Sequence, residues 1–95
     1  MGILTNKTAI ITGASAGIGY ETAKWVASEG ASLVVVARRS EQLQALVDEI
    51  DAAGGKAVAL VGDVKNKQLA KQGVELAIEH FGGLDIAFNN AATLG

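Results

Sequence analysis

A glycine-rich segment at residues 12–19, TGASAGIG, most constrains how this chain can fold. It directly follows the apolar residues 8–11 and precedes a stretch with the spacing of an amphipathic helix. A strand that turns tightly into a helix points unpaired backbone N–H groups and the positive end of the helix dipole at one place. We therefore predict an anion site here, and a dinucleotide pyrophosphate is the anion that best fits it.

The glycines of this segment have separate predicted roles. Gly13 supplies turn angles that a side chain would forbid, whereas Gly17 lets the backbone approach the phosphates. Gly19 lets the helix lie close to the strand. Glycine spacing alone is weak evidence for a dinucleotide site, so the prediction depends on the other motifs along the chain.

The composition narrows the class of protein. The 95 residues allow one small domain, which would bury about 60–65% of its unfolded surface. With 49% hydrophobic and 19% charged residues, the chain has the composition of a soluble α/β protein. Its net charge of −2 does not favour binding to nucleic acids or to membrane surfaces. The absence of cysteine and the single His80 argue against disulfides and metal clusters. The chain shows no signal-peptide pattern, so we expect a cytoplasmic location.

Short β-branched runs alternate with segments of helical period, which predicts βαβ units around a parallel sheet. The predicted strands are residues 8–12, 32–37, 56–61 and 84–89, and the predicted helices are about 18–29, 40–53 and 67–81. Ser40 is the predicted N-cap of the second helix, and glycines at 30, 54–55 and 82–83 end the helices.

Helical spacing also predicts which side chains are buried. The predicted inner face of the second helix is Leu43, Leu46, Val47 and Ile50, and that of the third is Val74, Ala77, Ile78 and Phe81. Trp25 and Phe88 are interpreted as packing residues.

The polar motifs all follow predicted strand ends. Right-handed crossovers would make the four strands parallel, so their carboxyl ends would form one edge, where ligands of open α/β sheets bind. The motifs at this edge are the glycine turn, Arg38-Arg39, Asp63-Val64 and Asn89-Asn90-Ala91.

In this order the motifs resemble the N-terminal part of the short-chain dehydrogenase/reductase family, from about residue 5 to the end. The resemblance implies an NAD(P)-dependent oxidoreductase that moves a hydride between a nicotinamide and a small carbonyl or alcohol substrate. It also implies a Rossmann-type sheet of β-α-β-α-β-α-β topology with strand order 3-2-1-4. The family's catalytic serine and Tyr-x-x-x-Lys pair lie further along, so we expect residues 1–95 to be one dinucleotide-binding portion, truncated after the fourth strand, with no catalytic residue of its own.

The positive charge at the end of the second predicted strand favours NADP over NAD as the cofactor. A carboxylate at the end of the second strand suits a ribose 2′-hydroxyl, whereas the arginines found here, Arg38 and Arg39, suit a 2′-phosphate. A guanidinium matches phosphate oxygens in a bidentate way, and Ser15 in the glycine turn adds a hydroxyl. Ordinary solvated charge is the alternative interpretation of the two arginines, and the glycine turn argues against it.

The resemblance implies roles for the remaining motif residues. Asp63 would accept a hydrogen bond from the adenine amino group, and Val64 would add an apolar contact. Of Asn89 and Asn90, one would hold neighbouring backbone and the other approach the cofactor ribose, with both assignments open. Ile18 and Ala91 complete the motifs, and Ala92 stands where the family usually has glycine.

Tyr20 and Lys24 have the spacing of the family's catalytic pair, but they lie in the first helix. We interpret them as surface neighbours one turn apart.

The same fold is compatible with two other functions, a nucleotide-binding module without catalysis and a transferase with an adenosine cofactor. The arginines disfavour the transferase, since a free ribose would be better met by an acid. Substrate specificity and the helices that would form a homo-oligomer are expected in the catalytic half.

Overall fold

The computed structural model describes residues 3–12, 17–62 and 67–89, in which strands and helices alternate. The elements are β1 (Thr8–Thr12), α1 (Gly17–Ser28), β2 (Ser32–Ala37), α2 (Ser40–Ala52), β3 (Lys56–Val61), α3 (Lys67–Phe81) and β4 (Ile86–Asn89). Among these residues no helix is both long and apolar enough to span a bilayer.

The four strands form one parallel sheet in the order β3-β2-β1-β4. The predicted α/β class, Rossmann-type sheet and strand order are therefore confirmed. The strand β2 lies between β1 and β3, and its residues 33–37 are all buried. Because both faces of this strand are covered, its sequence is continuously apolar instead of alternating.

Helices cover both faces of the sheet. Ala9, Leu33 and Val35 belong to a core cluster with the inner residues of α1 and α2. On the opposite face, Ile10 and Val34 pack in a second cluster with α3. The α2 side chains predicted to face the core are all buried, namely Leu43, Leu46, Val47 and Ile50.

The predicted inner face of α3 is partly wrong. Ala77 is buried, but Val74 and Ile78 are 37% and 55% exposed. The stripe that faces the sheet includes Leu69, Gly73 and Ala77 instead. A Cβ built on Gly73 would lie 3.5 Å from Ile10 Cδ1, so small residues on this stripe let the helix lie close to the sheet. Phe81 remains half-buried and packs against the second cluster.

The helix ends follow the glycines as predicted. Gly30, Gly54 and Gly82 have φ angles of 98°, 90° and 85°, a left-handed conformation that favours glycine. The N-cap prediction for Ser40 is wrong, because α2 already begins at this residue. Its N-cap is Arg39, which has extended backbone angles and makes no side-chain capping bond.

Two smaller predictions also need correction. The strand β4 begins at Ile86, because Asp85 pairs with Thr8 in another way: the Asp85 N–H donates to the Thr8 carbonyl, and the Asp85 carboxylate accepts from the Thr8 N–H, both at 2.9 Å. Trp25, interpreted as a packing residue, is 54% exposed on α1. The side chain of Phe88 lies outside the described part of the chain.

Candidate functional site

The carboxyl ends of the four strands lie level along one edge of the sheet. Thr12 pairs with Val36 of β2 on one side and with Asn89 of β4 on the other. Ala37 pairs with Val61, the last residue of β3. The segments that follow the strands therefore leave the sheet side by side, as the sequence predicted.

The predicted site residues are distributed along this edge. Gly17, Ile18 and Gly19 are the first residues of α1, Arg38 and Arg39 connect β2 to α2, and Asn89 ends β4. The remaining predicted residues lie outside the described ranges, namely Gly13, Ser15, Asp63, Val64, Asn90 and Ala91.

The start of α1 can receive an anion. Its first residue, Gly17, comes five positions after the last residue of β1, and its first turn contains no acidic residue. The first N–H groups of any α-helix lack partners within the helix, and they carry the positive end of its dipole. No carboxylate within this turn opposes a bound phosphate.

Arg38 and Arg39 place two positive charges at the start of α2. Both residues are exposed, and neither guanidinium forms an ion pair with another residue in the ranges 3–12, 17–62 and 67–89. Glu41 in the first turn is therefore not paired with them. Cations at a helix N-terminus are repelled by the dipole, and an anion bound between them and the helix would relieve that repulsion. This electrostatic arrangement suits a phosphate.

Gly62 is a residue of this edge that the sequence analysis missed. Its N–H donates to the Ala37 carbonyl at 2.9 Å, which joins the ends of β2 and β3. A Cβ built at this position would lie 2.7 Å from Leu69 Cδ1, so the missing side chain lets the first turn of α3 lie against the end of β3. A glycine directly after an apolar strand was the available signal.

Tyr20 and Lys24 are neighbours one turn apart on α1, as predicted, but only Lys24 is exposed, because the Tyr20 ring is half-buried against the core. The Tyr20 hydroxyl donates to Glu49 Oε2 of α2 at 2.7 Å, and Lys24 Nζ lies 3.8 Å from the same oxygen. The hydrogen bond to Glu49 raises the pKa of the Tyr20 phenol, and burial and the charges of Glu49 and Glu21 act in the same direction. A tyrosine that exchanges protons with a substrate needs a lowered pKa, so this direction argues against catalysis.

Metal binding has no support in the described part of the chain, which contains no group of three or more histidine, cysteine or acidic residues able to hold an ion. His80 is exposed in the last turn of α3, where a positive charge would interact favourably with the helix dipole.

Comparison with known proteins identifies relatives along nearly the whole chain. The family model described as short chain dehydrogenase matches residues 7–95. An A-factor type gamma-butyrolactone 1′-reductase (1S-forming) of Streptomyces virginiae is 50% identical over 88 residues, which are 93% of this chain and 34% of that protein. A cyclohexanol dehydrogenase of an Acinetobacter species is 48% identical over 90 residues, which are 95% of this chain and 36% of that protein.

The solved structures that resemble this chain include dehydrogenases and reductases as well. A dehydrogenase/reductase from Sinorhizobium meliloti superposes with a TM-score of 0.87 at 43% identity, covering 93% of this chain and 35% of that one. L-sorbose reductase from Gluconobacter frateurii, solved with NADPH and L-sorbose, gives a TM-score of 0.88 at 37% identity, covering 98% of this chain and 35% of that one. The chain thus spans about a third of the length of these relatives.

Proposed function

The chain belongs to the short-chain dehydrogenase family, and we propose that it is the cofactor-binding portion of an NADP-dependent oxidoreductase. The complete protein would transfer a hydride between the nicotinamide and a carbonyl or alcohol carbon of a small molecule. Relatives named as a butyrolactone reductase, a cyclohexanol dehydrogenase and a sorbose reductase support this substrate class. The catalytic groups would be supplied by the part of the protein that corresponds to the unmatched length of the relatives.

The preference for NADP rests on Arg38 and Arg39. They follow the last residue of β2, where an acidic residue would favour a free ribose hydroxyl. Both side chains are exposed, and neither forms an ion pair within the described ranges, so two guanidinium groups are available for a 2′-phosphate. The neighbouring start of α2 adds backbone N–H groups on the same side.

The other residues of the edge would bind the rest of the cofactor. The first turn of α1 would hold the pyrophosphate, with Gly13 in the preceding turn. Ser15 of that turn would add a hydroxyl to the 2′-phosphate site of the arginines. Asp63 and Val64 would contact the adenine. At the end of β4, one of Asn89 and Asn90 would hold neighbouring backbone and the other would approach the cofactor ribose, with Ala91 completing the motif. The bound cofactor supplies or accepts the hydride, while the residues of this chain bind and orient its adenosine and pyrophosphate.

Equilibrium binding tests this proposal. Dissociation constants would be measured for NADPH, NADH and adenosine 2′,5′-bisphosphate with the wild-type chain and with a double variant that combines Arg38→Ala and Arg39→Asp. We expect the two ligands with a 2′-phosphate to bind more tightly than NADH, and the variant to lose more than about tenfold of their affinity, or about 1.4 kcal/mol.

A matched control changes the same charge at the opposite edge of the sheet. Lys7 and Lys56 are exposed beside the amino ends of β1 and β3, so Lys7→Ala combined with Lys56→Asp alters the net charge equally. This control should retain the preference for the 2′-phosphate. Equal affinity of the wild-type chain for NADH and NADPH would contradict the NADP assignment.

A further inference from the structure

Three side chains connect α1 to α2, namely Tyr20, Lys24 and Glu49. The Tyr20 ring is half-buried against the core beneath α1 and α2, and its hydroxyl donates to Glu49 Oε2 at 2.7 Å. Lys24 Nζ lies 3.8 Å from the same oxygen and 5.8 Å from the centroid of the Tyr20 ring. One carboxylate oxygen of α2 thus meets two residues that are one turn apart on α1.

The two connected helices carry the two proposed phosphate subsites. Tyr20 directly follows Gly19, within the first turn of α1, where the pyrophosphate would bind. Glu49 lies ten residues after Arg39, the N-cap of α2, where the 2′-phosphate would bind, so its contact acts on that subsite along the helix. Both helices begin at the carboxyl edge of the sheet and cover the same face. A contact that joins the two helices therefore adds to the shared core packing in holding the spacing of the subsites.

We propose that Tyr20 and Glu49 are positioning residues that hold the two phosphate subsites at the spacing of one nucleotide. This inference rests on the proposed function, since it requires a ligand that carries both phosphates. A ligand that reaches two subsites gains affinity only when the span between them is maintained, because its second contact is then intramolecular. A ligand with one phosphate uses one subsite and is insensitive to the spacing.

The hydrogen bond, rather than the ion pair, carries the expected effect. The side chains of Lys24 and Glu49 are 45% and 51% exposed, and ion pairs exposed to this degree contribute little. The Tyr20 ring is anchored against the core, so its hydroxyl is held in place before it meets Glu49. The hydrogen bond is exposed, and the ring packing remains without it, so removing this hydroxyl should loosen the first turn of α1 relative to α2.

The experiment compares three nucleotides that separate the subsites. Adenosine 5′-monophosphate reaches the α1 subsite, adenosine 2′-monophosphate reaches the arginines, and adenosine 2′,5′-bisphosphate reaches both. For Tyr20→Phe and Glu49→Ala we expect about fivefold weaker binding of the bisphosphate, in the range that one hydrogen bond supplies, and less than about twofold change for each monophosphate. Glu49→Gln should retain most of the affinity, since its amide oxygen still accepts from the Tyr20 hydroxyl.

Asp48→Ala is the matched control. Asp48 precedes Glu49, and its carboxylate accepts a hydrogen bond from Gln44 at 3.0 Å within α2, so its removal leaves the contact with α1 intact. This variant should bind all three nucleotides as the wild-type chain does. Melting curves of each variant establish that differences in binding are measured on folded protein.

The outcomes separate this inference from the proposed function. A wild-type chain that does not bind the 2′-monophosphate better than adenosine overturns the proposed function. A wild-type chain with the expected preference, together with full bisphosphate affinity in Tyr20→Phe, overturns the positioning role alone. An equal loss for all three nucleotides also overturns it, because that result indicates damage to each subsite instead of a change in their spacing.

Discussion

The environment of Tyr20 makes stability depend on pH in a defined direction. The hydrogen bond to Glu49, then burial, then the charges of Glu49 and Glu21 raise the pKa of this phenol above its ordinary value of 10.0. The folded chain therefore holds the phenolic proton more tightly than the unfolded chain. The stabilisation is fully present below the unfolded pKa, near 10.0, and is lost as pH rises through the higher folded pKa.

This prediction can be checked with two measurements. The free energy of unfolding of Tyr20→Phe, subtracted from that of the wild-type chain, should be constant below about pH 9 and should fall above about pH 10. Because the chain contains a single tyrosine, tyrosinate absorbance reports the pKa of Tyr20 directly. In Glu49→Ala the absorbance titration should shift to lower pH, and an unchanged titration would contradict the role of the Glu49 hydrogen bond.

The position of Arg38 and Arg39 at the carboxyl edge was predictable because it depends only on the strand before them. The apolar run of β2 ends at Ala37, so the residues that follow it lie at the carboxyl edge of the parallel sheet. Gly62 was missed for a physical reason as well. Its importance comes from Leu69, which approaches the built Cβ only after α3 has packed against the sheet, and such a contact leaves no local pattern in the sequence.

The buried face of a helix was predictable from the sequence where the helix has only one apolar stripe. In α2 one apolar stripe exists, and all four of its predicted residues are buried. In α3 Val74 and Ile78 compete with a stripe that contains the small residues Gly73 and Ala77, and close packing on the sheet selects this stripe. The start of β4 depends on the Asp85 carboxylate, which accepts a hydrogen bond from the Thr8 N–H of the neighbouring strand β1. Periodicity alone contains neither kind of tertiary information.

The docking of α3 onto the sheet should depend on the missing side chain at Gly62. In Gly62→Ala the new Cβ would lie 2.7 and 3.2 Å from the two Cδ atoms of Leu69, so this side chain, which is 6% exposed, must shift to admit it. We expect a loss of about 1–3 kcal/mol in the free energy of unfolding, as overpacking of a core produces. Urea denaturation of the variant and the wild-type chain measures this loss.

A second substitution identifies the cause of that loss. Leu69→Val removes both Cδ atoms, so in the Gly62→Ala background the cost of the new Cβ should be smaller than in the wild-type background, as a double-mutant cycle would show. Gly83→Ala is the control, since a Cβ at this position meets nothing within 4 Å. It should change stability by no more than about 0.5 kcal/mol. Strict additivity of the Gly62 and Leu69 substitutions would contradict the steric explanation.

The small size of this chain makes its folding sensitive to what binds the carboxyl edge. With 95 residues, its total stability is expected to be about 5–14 kcal/mol. A ligand present at a hundredfold excess over its Kd adds about 2.7 kcal/mol, a substantial fraction of that total. NADPH and adenosine 2′,5′-bisphosphate should therefore raise the melting temperature by about 10 °C or more under these conditions.

The same ligands at the same concentrations should stabilise the combined Arg38→Ala and Arg39→Asp variant much less. A tenfold weaker Kd turns the hundredfold excess into a tenfold one, which lowers the added free energy to about 1.4 kcal/mol. The variant of Lys7 and Lys56 at the opposite edge should shift as the wild-type chain does, because its charges lie beside the amino ends of the strands. Scanning calorimetry of the three chains with each ligand measures these differences. An equal shift of the melting temperature in all three chains would mean that the stabilising anion binds away from the arginines. Only a site that includes Arg38 and Arg39 makes the arginine variant differ from the lysine variant.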